Sequence, residues 1–293
     1  MKREYGKILA GYTSFGIGGP AFCWAKAESV DDILEAVAIA EKAGKPLVTI
    51  GRGSNILISD KGFDGVLLNL GEDFNYIKIN DNGSVKAGAG LSLSRLVKEC
   101  PVAGLAGCEF LAGIPGSLGG AIFMNAGVRD AENPAELKEI KDIVLSIEVV
   151  DLIDKKIKRL GKEEIGFSYR SSGLFGKCVI SADIKLQKGE KGVVEDRVSS
   201  FMKKRSWIGK LGFSTAGSIF KNPANDKPAG RLIEECGLKG KRLGNAEISG
   251  AHANFIVNRG AAASEDILGL IDLAKKSVRD RFNIELELEI KVI

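Results

Sequence analysis

The sequence is poor in the side chains that most often carry out chemistry unaided. It contains one histidine, His252, so a Ser-His-Asp triad or a multi-histidine metal site would have to be built around that single residue. The five cysteines include no CxxC pair and are odd in number, which indicates packed thiols in a reducing compartment. These shortages favour chemistry carried by a bound cofactor.

Long apolar runs and an excess of one charge are also missing. The first residues, MKREYGKILAG, lack the apolar core of a signal peptide, and no later stretch approaches the ~18 apolar residues that cross a bilayer. The formal charge is +4, and the basic cluster Lys203 to Arg205 has acidic residues close upstream. We therefore expect a cytoplasmic protein that binds neither membrane nor nucleic acid, while an anionic small substrate is compatible with the charge.

The length and the patterning predict more than one domain. At 293 residues the chain exceeds the usual single-domain size. Helical spacing of apolar residues between Ser29 and Gly44 predicts a helix, and a second such pattern runs from about Ser264 to Phe282. Short β-like runs lie between them, and the polar stretch Gln187 to Gly192 is typical of a linker. The composition break near residue 190 predicts an α+β protein of two major domains.

The first of two glycine-rich segments, Gly51 to Asn55 (GRGSN), could bind a phosphate. It supplies consecutive backbone N–H groups on residues with little side-chain bulk. It is not a GxGxxG fingerprint, because Ile56 takes the place of the third glycine and no helix pattern follows. An ordinary glycine turn between two strands is the alternative, and the local pattern leaves both open.

The second segment, Leu111 to Gly127 (LAGIPGSLGGAIFMNAG), has no ionisable side chain but contains five glycines. Glycine at this density weakens regular structure, so its presence in an apolar segment suggests a planar or phosphorylated group pressed against the backbone. A buried system of turns is the alternative. A cofactor cradle is the favoured interpretation.

Three further features carry candidate catalytic groups. Ser218 in GSIFKNP has no histidine nearby to act as its base, so it is better suited to give a proton to a strongly basic carbon than to act as a nucleophile. Arg170 in GFSYR could pair with a carboxylate through two N–H bonds. In the closing alternation IELELEIKVI, Glu285, Glu287 and Glu289 fall on one face of a predicted strand. The periodicity does not choose among the glutamates. The alternative for Ser218 is a serine in a glycine turn, for Arg170 a solvated surface arginine, and for the glutamates a solvated strand face.

These motifs together resemble the UDP-N-acetylenolpyruvoylglucosamine reductases. The similarity runs in order from about residue 13 to the last strand, through TSFGIGGPA, GRGSNILISD, EFLAGIPGSLGGAIFMNAG, GFSYR, AGSIFKNP, AGRLIEECGLKG and HANFIVN. Two departures stand out: the family's LEPE motif here lacks its proline, and Val128-Arg129-Asp130 replaces an aromatic that commonly follows NAG. The chain resembles the shorter of the family's two types, which lacks a substrate-covering tyrosine loop.

The resemblance implies a two-lobed FAD-binding domain of the vanillyl-alcohol-oxidase (PCMH) type over residues 1–188, with lobes of about 1–68 and 69–188. A C-terminal α+β substrate domain, residues 189–293, would end in a closing strand. By position the resemblance makes Arg170, Ser218 and Glu289 catalytic, with Glu287 as the rival of Glu289. It also implies that FAD contacts Gly51, Arg52, Gly53, Ser54, Asn55, Gly113, Ile114, Pro115, Gly116, Ser117, Gly119, Gly120 and Ile122.

The implied reaction is the reduction of an enolpyruvyl group on a UDP-sugar, with FAD and NADPH as cofactors and no metal. Lys221, Asn222 and Arg231 are candidate contacts for the diphosphate or the sugar. We expect a monomer. A related FAD oxidase acting on an alcohol or carbohydrate is the alternative enzyme, which the motifs from Ser218 to Asn258 disfavour. A noncatalytic flavin-binding module is the alternative outside enzymes.

Overall fold

A computed structural model describes residues 1–80, 82–224 and 227–293. They form two compact units, each assembled from segments that are separated in the sequence. Unit 1 comprises Met1–Arg3, Ala25–Gly51 and Val66–Ser206, and unit 2 comprises Glu4–Trp24, Arg52–Gly65 and Trp207–Ile293. The domain boundaries at residues 68 and 188 stay a prediction. The two units divide the chain differently, because residues 4–24 and 52–65 pack with the C-terminal third, which sequence order does not reveal.

Helices predicted from caps and apolar spacing are found where we expected them. The Ser29 side chain accepts a hydrogen bond from Asp32 N, and the helix that follows ends at Gly44, whose φ of 63° is left-handed. The helix predicted from Ser264 to Phe282 has those bounds. The described residues contain α1 (Val30–Ala43), α2 (Leu93–Val102), α3 (Leu118–Phe123), α4 (Lys191–Gly209), α5 (Ala229–Glu235) and α6 (Ser264–Phe282). None of these helices is long and apolar enough to cross a membrane.

The strands range from two to nine residues in length. In the first half of the chain they are β1 (Lys2–Tyr5), β2 (Ala21–Ala27), β3 (Leu47–Ile50), β4 (Ile56–Leu57), β5 (Phe63–Leu70), β6 (Ile77–Ile79), β7 (Ser84–Gly88), β8 (Leu105–Ala106), β9 (Gly127–Arg129) and β10 (Leu137–Glu139). In the second half they are β11 (Val144–Asp151), β12 (Ile157–Gly161), β13 (Lys177–Lys185), β14 (Gln187–Lys188), β15 (Arg242–Leu243), β16 (Ala246–Ile248), β17 (Ile256–Asn258) and β18 (Lys291–Val292).

Unit 1 is built on a five-stranded antiparallel sheet in the order β12-β11-β13-β7-β6. Its core includes Ala87 of β7, Ile147 of β11 and Ala182 of β13, which are paired across neighbouring strands. Leu96 of α2 and Ile122 of α3 join the same apolar cluster. Burial of these side chains fixes α3, and with it the glycine-rich segment, against the sheet.

Unit 2 surrounds a second core, in which α5 and α6 accompany the antiparallel sheet β15-β16-β17. Phe15 and Leu57, from the two N-terminal segments, are fully buried in this core. Asn258 Nδ2 also donates to Phe15 O at 2.8 Å. These contacts explain why segments far apart in the sequence form one unit.

Two predictions about segments need correction. The stretch Gln187 to Gly192 is not a linker, because β14 pairs with β8 and α4 already begins at Lys191. The closing strand is only partly formed: β18 pairs in parallel with β4, while residues 284–290 form no strand and contain an isolated bridge between Leu288 and Phe220, with bends at 289 and 290. Pattern alone misses both, since a strand needs a partner and the pattern does not identify one.

Four of the five cysteines are buried and Cys236 is half-buried, as the prediction of packed thiols requires. Burial raises the pKa of the Cys178 thiol to about 12. This thiol is therefore almost entirely protonated at neutral pH and is a poor nucleophile.

Candidate active site

Within unit 1 the structure brings together the start of the GRGSN segment and the IPGSLGG segment. A side chain at Gly51 would place its Cβ 2.5 Å from Ser117 Oγ and 4.0 Å from Gly120 Cα. Asn69 Nδ2 donates to Ile50 O and Gly51 O, at 2.9 and 3.0 Å, and so fixes the end of β3. Two of the segments predicted to bind one cofactor therefore meet on a surface of glycine and serine.

Helix α3 gives the second segment a defined shape. Ser117 accepts a hydrogen bond from Gly120 N at its start, and Gly119 N donates to Ala89 O at 2.8 Å. A Cβ at Gly119 would lie 3.0 Å from that of Ala89, so glycine permits this close packing. At Gly120 a Cβ would meet only Ser117 Oγ, at 3.5 Å, so this side of the backbone is open to a bound group.

The remaining residues of this segment differ in accessibility. Gly113 and Gly116 have positive φ angles of 74° and 143°, and Gly113 and Pro115 are exposed while Ile114 is half-buried. Arg205 Nε donates to Gly113 O at 3.1 Å, which brings a cation to the segment. Ile122 has no exposed surface and fills the core, so its predicted contact with a cofactor stays a prediction that the exposure does not support.

The rest of the GRGSN segment belongs to unit 2. Arg52 is exposed and Ser54 half-buried, whereas Gly53 is buried with a φ of 65°. Asn55 Nδ2 donates to Glu289 O at 3.0 Å, and Asn55 O accepts from Lys291 N at 3.0 Å. This segment is thus bonded to the end of the chain that carries the candidate glutamate.

Replacing Gly53 by alanine should destabilise unit 2 severely. The new Cβ would lie 1.8 Å from Tyr12 O, and the left-handed backbone would be strained as well. We expect a loss of about 3 kcal/mol or more in urea unfolding. Gly212→Ala is the matched control, because Gly212 has a similar φ of 68° with nothing within 4 Å and should lose only about 1 kcal/mol. Equal losses in the two variants would contradict the proposed clash.

Arg170 lies in a network of buried polar groups in unit 1. Its side chain is only 12% exposed, and its Nη2 donates to Gly127 O at 2.8 Å. Its Nη1 lies 3.6 Å from Oε1 of Glu139, a carboxylate that is itself 4% exposed. Its guanidinium carbon lies 4.9 Å from the centre of the Tyr169 ring. The surface-arginine alternative is therefore wrong for Arg170.

Two non-glycine residues of this network have left-handed backbones. Arg170 has a φ of 55° and Asn125, in the NAG motif, has a φ of 43°. Such conformations cost roughly 1–3 kcal/mol and persist only where the surroundings impose them. Backbone strain of this kind is concentrated at functional sites, so its presence supports a functional role for the two motifs.

The Val128-Arg129-Asp130 segment, which departs from the resembled family, is anchored to helix α4. Arg197 Nη2 lies 3.4 Å from Asp130 Oδ2, and Lys204 Nζ donates to Asp130 O at 3.2 Å. Burial opposes ionisation of Asp130, but hydrogen bonds from Glu132 N and Asn133 N and the charge of Arg197 hold its pKa below the ordinary value. An ionised aspartate thus anchors this loop to α4.

Ser218 in unit 2 follows a turn that is held by Thr215. Thr215 Oγ1 donates to Ile256 O at 2.8 Å and accepts from Gly217 N at 3.3 Å, while Gly217 has a φ of 81°. Beyond the serine, Asn254 is buried and its amide bonds both the N–H and the carbonyl of Phe220. Ser218 itself is half-buried, so its backbone is fixed while its hydroxyl remains accessible.

The two rival glutamates of the last segment have different surroundings. The Glu287 side chain is 76% exposed and its carboxylate lies 3.4 Å from Lys221 Nζ. Glu289 is half-buried, and its N–H donates to Ile219 O at 2.8 Å, next to Ser218. The two glutamates, which we expected on one face, therefore differ in solvent exposure. The greater burial of Glu289 favours it as the functional carboxylate.

Of the candidate substrate contacts Lys221, Asn222 and Arg231, the last two lie at α5. Asn222 Oδ1 accepts from Ala229 N at 3.1 Å, so part of its side chain supports the start of this helix. Arg231 is 70% exposed and pairs with Glu235 at 3.0 Å. With Gly230 and His252, Arg231 lines a cleft of about 570 Å³ within unit 2. Lys221 is instead found beside Glu287 in the last segment, so binding of one ligand by all three residues stays a prediction.

Comparison with known proteins places this geometry in a family. A family model described as an FAD binding domain matches residues 23–161, and one described as the C-terminal domain of UDP-N-acetylenolpyruvoylglucosamine reductase matches residues 209–293. The chain is 36% identical over 299 residues to the UDP-N-acetylenolpyruvoylglucosamine reductase of Bacillus velezensis, with 99% of this chain and 95% of that protein covered. The chain belongs to the UDP-N-acetylenolpyruvoylglucosamine reductase family.

Further relatives agree with this assignment. The UDP-N-acetylenolpyruvoylglucosamine reductase of Desulforamulus reducens is 39% identical over 284 residues, covering 96% of this chain and 90% of that protein. The crystal structure of the reductase from Thermus caldophilus matches with a TM-score of 0.81 and 36% identity, covering 99% and 98% of the two chains. Membership of the UDP-N-acetylenolpyruvoylglucosamine reductase family confirms the resemblance and, with the FAD-domain match, the predicted fold class.

Several residues that support the candidate groups within each unit were missed by sequence reasoning. Four of them fix a backbone with a side-chain hydrogen bond, and Glu139 instead lies beside the Arg170 side chain: Asn69, Asn125 and Glu139 in unit 1, and Thr215 and Asn254 in unit 2. An isolated asparagine inside an apolar run, as in VLLNL or HANFIVN, was the available signal. Glu139 gave none, because glutamate is common on surfaces.

Proposed function

We propose that this protein catalyses the NADPH-dependent, FAD-mediated reduction of UDP-N-acetylglucosamine enolpyruvate to UDP-N-acetylmuramate, a step in the synthesis of peptidoglycan precursors. The observation that carries this function is similarity to reductases of this name over 99% of the chain. The match to the reductases' own C-terminal domain includes Ser218 and Glu289. An FAD-binding domain alone would not distinguish this reaction from an oxidation.

The residues of unit 1 fit an FAD group. Gly51, Ser117 and Gly120 form a surface without bulky side chains, the backbone is open at Gly120, and the Arg205 guanidinium lies beside Gly113. This surface would hold the cofactor, and Arg52 to Asn55 would add backbone N–H groups for its pyrophosphate. When bound, FAD supplies hydride transfer from NADPH to the enolpyruvyl methylene carbon.

We assign the catalytic charge stabilisation to Arg170. Hydride addition to the methylene carbon leaves negative charge on the adjacent carbon and its carboxylate. A guanidinium that is already desolvated and held in place stabilises such charge without reorganisation. Glu289, half-buried in unit 2, would help to hold or polarise the same group.

Ser218 would then give its hydroxyl proton to that carbon and complete the D-lactyl ether. A serine hydroxyl is a weak acid, so it can act only on an acceptor that is more basic still, as a carbanion is. The fixed backbone around Ser218 supports this role, because a proton donor must be within about 3 Å of its acceptor.

Lys221, Asn222 and Arg231 are proposed to bind the diphosphate or the sugar. Arg231 lines the cleft in unit 2, and its exposed guanidinium could exchange Glu235 for phosphate oxygens. Lys221 could exchange Glu287 in the same way. We further propose that the enzyme works in the cytoplasm, where its thiols stay reduced, and acts as a monomer without nucleic acid or membrane.

The absorbance spectrum of the purified protein tests this function. A yellow protein should lose its flavin absorbance when NADPH is added without oxygen, and should recover it on addition of the enolpyruvyl UDP-sugar. Loss of the flavin absorbance on addition of an alcohol or a simple carbohydrate, with recovery only when oxygen is admitted, would indicate the oxidase instead. Loss of colour with no recovery would indicate a flavin protein of another function, and a colourless protein that takes up no FAD would contradict all three.

A further inference from the structure

Arg170 contacts one pair of opposite residues in the β9–β10 hairpin, and we call this pair the rung. In this hairpin Gly127 lies opposite Glu139. Arg170 Nη2 donates to Gly127 O, and its Nη1 lies 3.6 Å from Glu139 Oε1. One end of the rung therefore holds Nη2 by a hydrogen bond, and the other places a carboxylate beside Nη1 without a hydrogen bond, so that its charge favours one orientation of the guanidinium.

The rung can form only because one of its residues is glycine. A Cβ at Gly127 would lie 2.1 Å from Lys138 O and 2.9 Å from Glu139 Cγ. The Glu139 side chain thus lies against the Gly127 backbone and is almost completely buried. Its Oε1 accepts no hydrogen bond from the residues that the structure describes, which leaves Arg170 as its charged neighbour.

A second cation also contacts this carboxylate. Lys141 Nζ lies 2.6 Å from Glu139 Oε2, and this contact raises the pKa of Lys141 above its ordinary value. The Asp142 carboxylate, which accepts from Glu139 N at 2.7 Å, also acts on Lys141. Lys141 thus offsets part of the negative charge beside Arg170.

The residues that precede this hairpin are bonded to the loop that carries Arg170. Asn125 has no exposed surface, and its Nδ2 donates to Ser168 O at 2.9 Å while its Oδ1 accepts from Lys141 N at 3.3 Å. Ser172 Oγ donates to Phe123 O at 2.7 Å. The loop backbone beside Arg170 and the Arg170 side chain are therefore both held by residues between Phe123 and Glu139.

We propose that Glu139 is a positioning residue for Arg170 in the reduction of the sugar, and that Lys141 balances its charge. Glu139 fixes the guanidinium before the substrate arrives. Lys141 offsets the negative charge of Glu139, so that the enolpyruvyl carboxylate is still attracted to Arg170. This inference rests on the proposed function.

Glu139→Gln tests the positioning role, because glutamine keeps the size of the side chain and removes the charge. We expect the rate constant for reoxidation of the reduced enzyme by saturating sugar to fall about 10- to 100-fold. Reduction by NADPH should stay within about threefold of wild type, and the affinity of the oxidised enzyme for the sugar, measured by the change in flavin absorbance, should not weaken, since the substitution removes a negative charge beside Arg170. Glu136→Gln makes the same change in the same hairpin, at a side chain that pairs with Lys138, and should be neutral.

Lys141→Met tests the charge balance and serves if the first variant fails to fold, since Lys141 is 39% exposed. Its loss removes the positive charge that offsets Glu139, so sugar affinity should weaken about 2- to 5-fold with little change in the reoxidation rate. We therefore expect Glu139→Gln to lower the reoxidation rate without weakening sugar affinity, and Lys141→Met to weaken sugar affinity with little change in the rate. Equal loss of both quantities in either variant would indicate a general structural role and overturn the proposal.

The double variant Arg170→Lys, Glu139→Gln provides a further measurement. If Glu139 acts through Arg170, adding Glu139→Gln to Arg170→Lys should lower the reoxidation rate much less than it does in the wild type. Additive losses would overturn the proposal. A wild-type enzyme that the sugar does not reoxidise would instead contradict the proposed function, so the two failures are distinguishable.

Discussion

Ser218→Ala should keep the reduction of flavin by NADPH at the wild-type rate and lose turnover with the enolpyruvyl UDP-sugar by about 10²- to 10⁴-fold. The substitution removes the proposed proton donor but leaves the Thr215 turn and the Asn254 bonds that fix the backbone. Anaerobic stopped-flow measurement of the two half-reactions separates the effects. The product, followed by mass, should appear at a correspondingly lower rate.

The control for this experiment is Ser214→Ala, an exposed serine four positions upstream in the same segment. It should show both half-reactions at wild-type rates. If Ser218→Ala turned over the sugar as fast as this control, another group or water would have to supply the proton. If both variants lost flavin reduction equally, the segment would support cofactor binding instead.

Glu289→Gln should lower sugar-dependent turnover by about 10²-fold or more, whereas Glu287→Gln should change it less than about threefold. The exposed Glu287 carboxylate is an ion-pair partner of Lys221 in solvent, and such pairs contribute little. Glu289 is half-buried, and its backbone is bonded both to Asn55 and to Ile219. The two variants make the same chemical change two positions apart, so each controls for the other.

Steady-state kinetics of the two glutamine variants, with flavin content measured in each, provide the test. A large loss in Glu287→Gln with normal turnover in Glu289→Gln would transfer the catalytic role to Glu287. That result would also assign Lys221 a place beside the reacting group, because Lys221 pairs with Glu287. Equal losses would mean that the exposure of the two side chains does not distinguish their roles.

Elements with strong local signals could be predicted from the sequence. Helix α1 has a capping serine, acidic residues in its first turn and a glycine at its end, and each of these acts within a few residues. Pairing partners act over long distances and leave weaker signals. The closing strand was therefore overextended and β14 was missed, since the polar residues of QKGEKG gave no indication that their backbone pairs with β8.

For the site, motifs identified the residues but not their surroundings. Ser117, Arg170 and Ser218 were found because their motifs are distinctive. The burial of Arg170 against Glu139 could not be foreseen, since the two residues lie on different strands and loops and neither spacing nor composition links them. The distinction between Glu287 and Glu289 also required the fold, because alternation gives both the same face while packing exposes them unequally.

The discontinuous make-up of unit 2 has a consequence for biosynthesis. Phe15 and Leu57 leave the ribosome early, but the side chains that cover them come from the last third of the chain. The bond from Asn258 to Phe15 spans 243 positions of sequence. Until those residues have been translated, the early segments have no native core to join and their apolar side chains stay exposed. Completion of this unit must therefore follow synthesis of nearly the whole polypeptide, and a nascent chain that stalls late remains a substrate for chaperones.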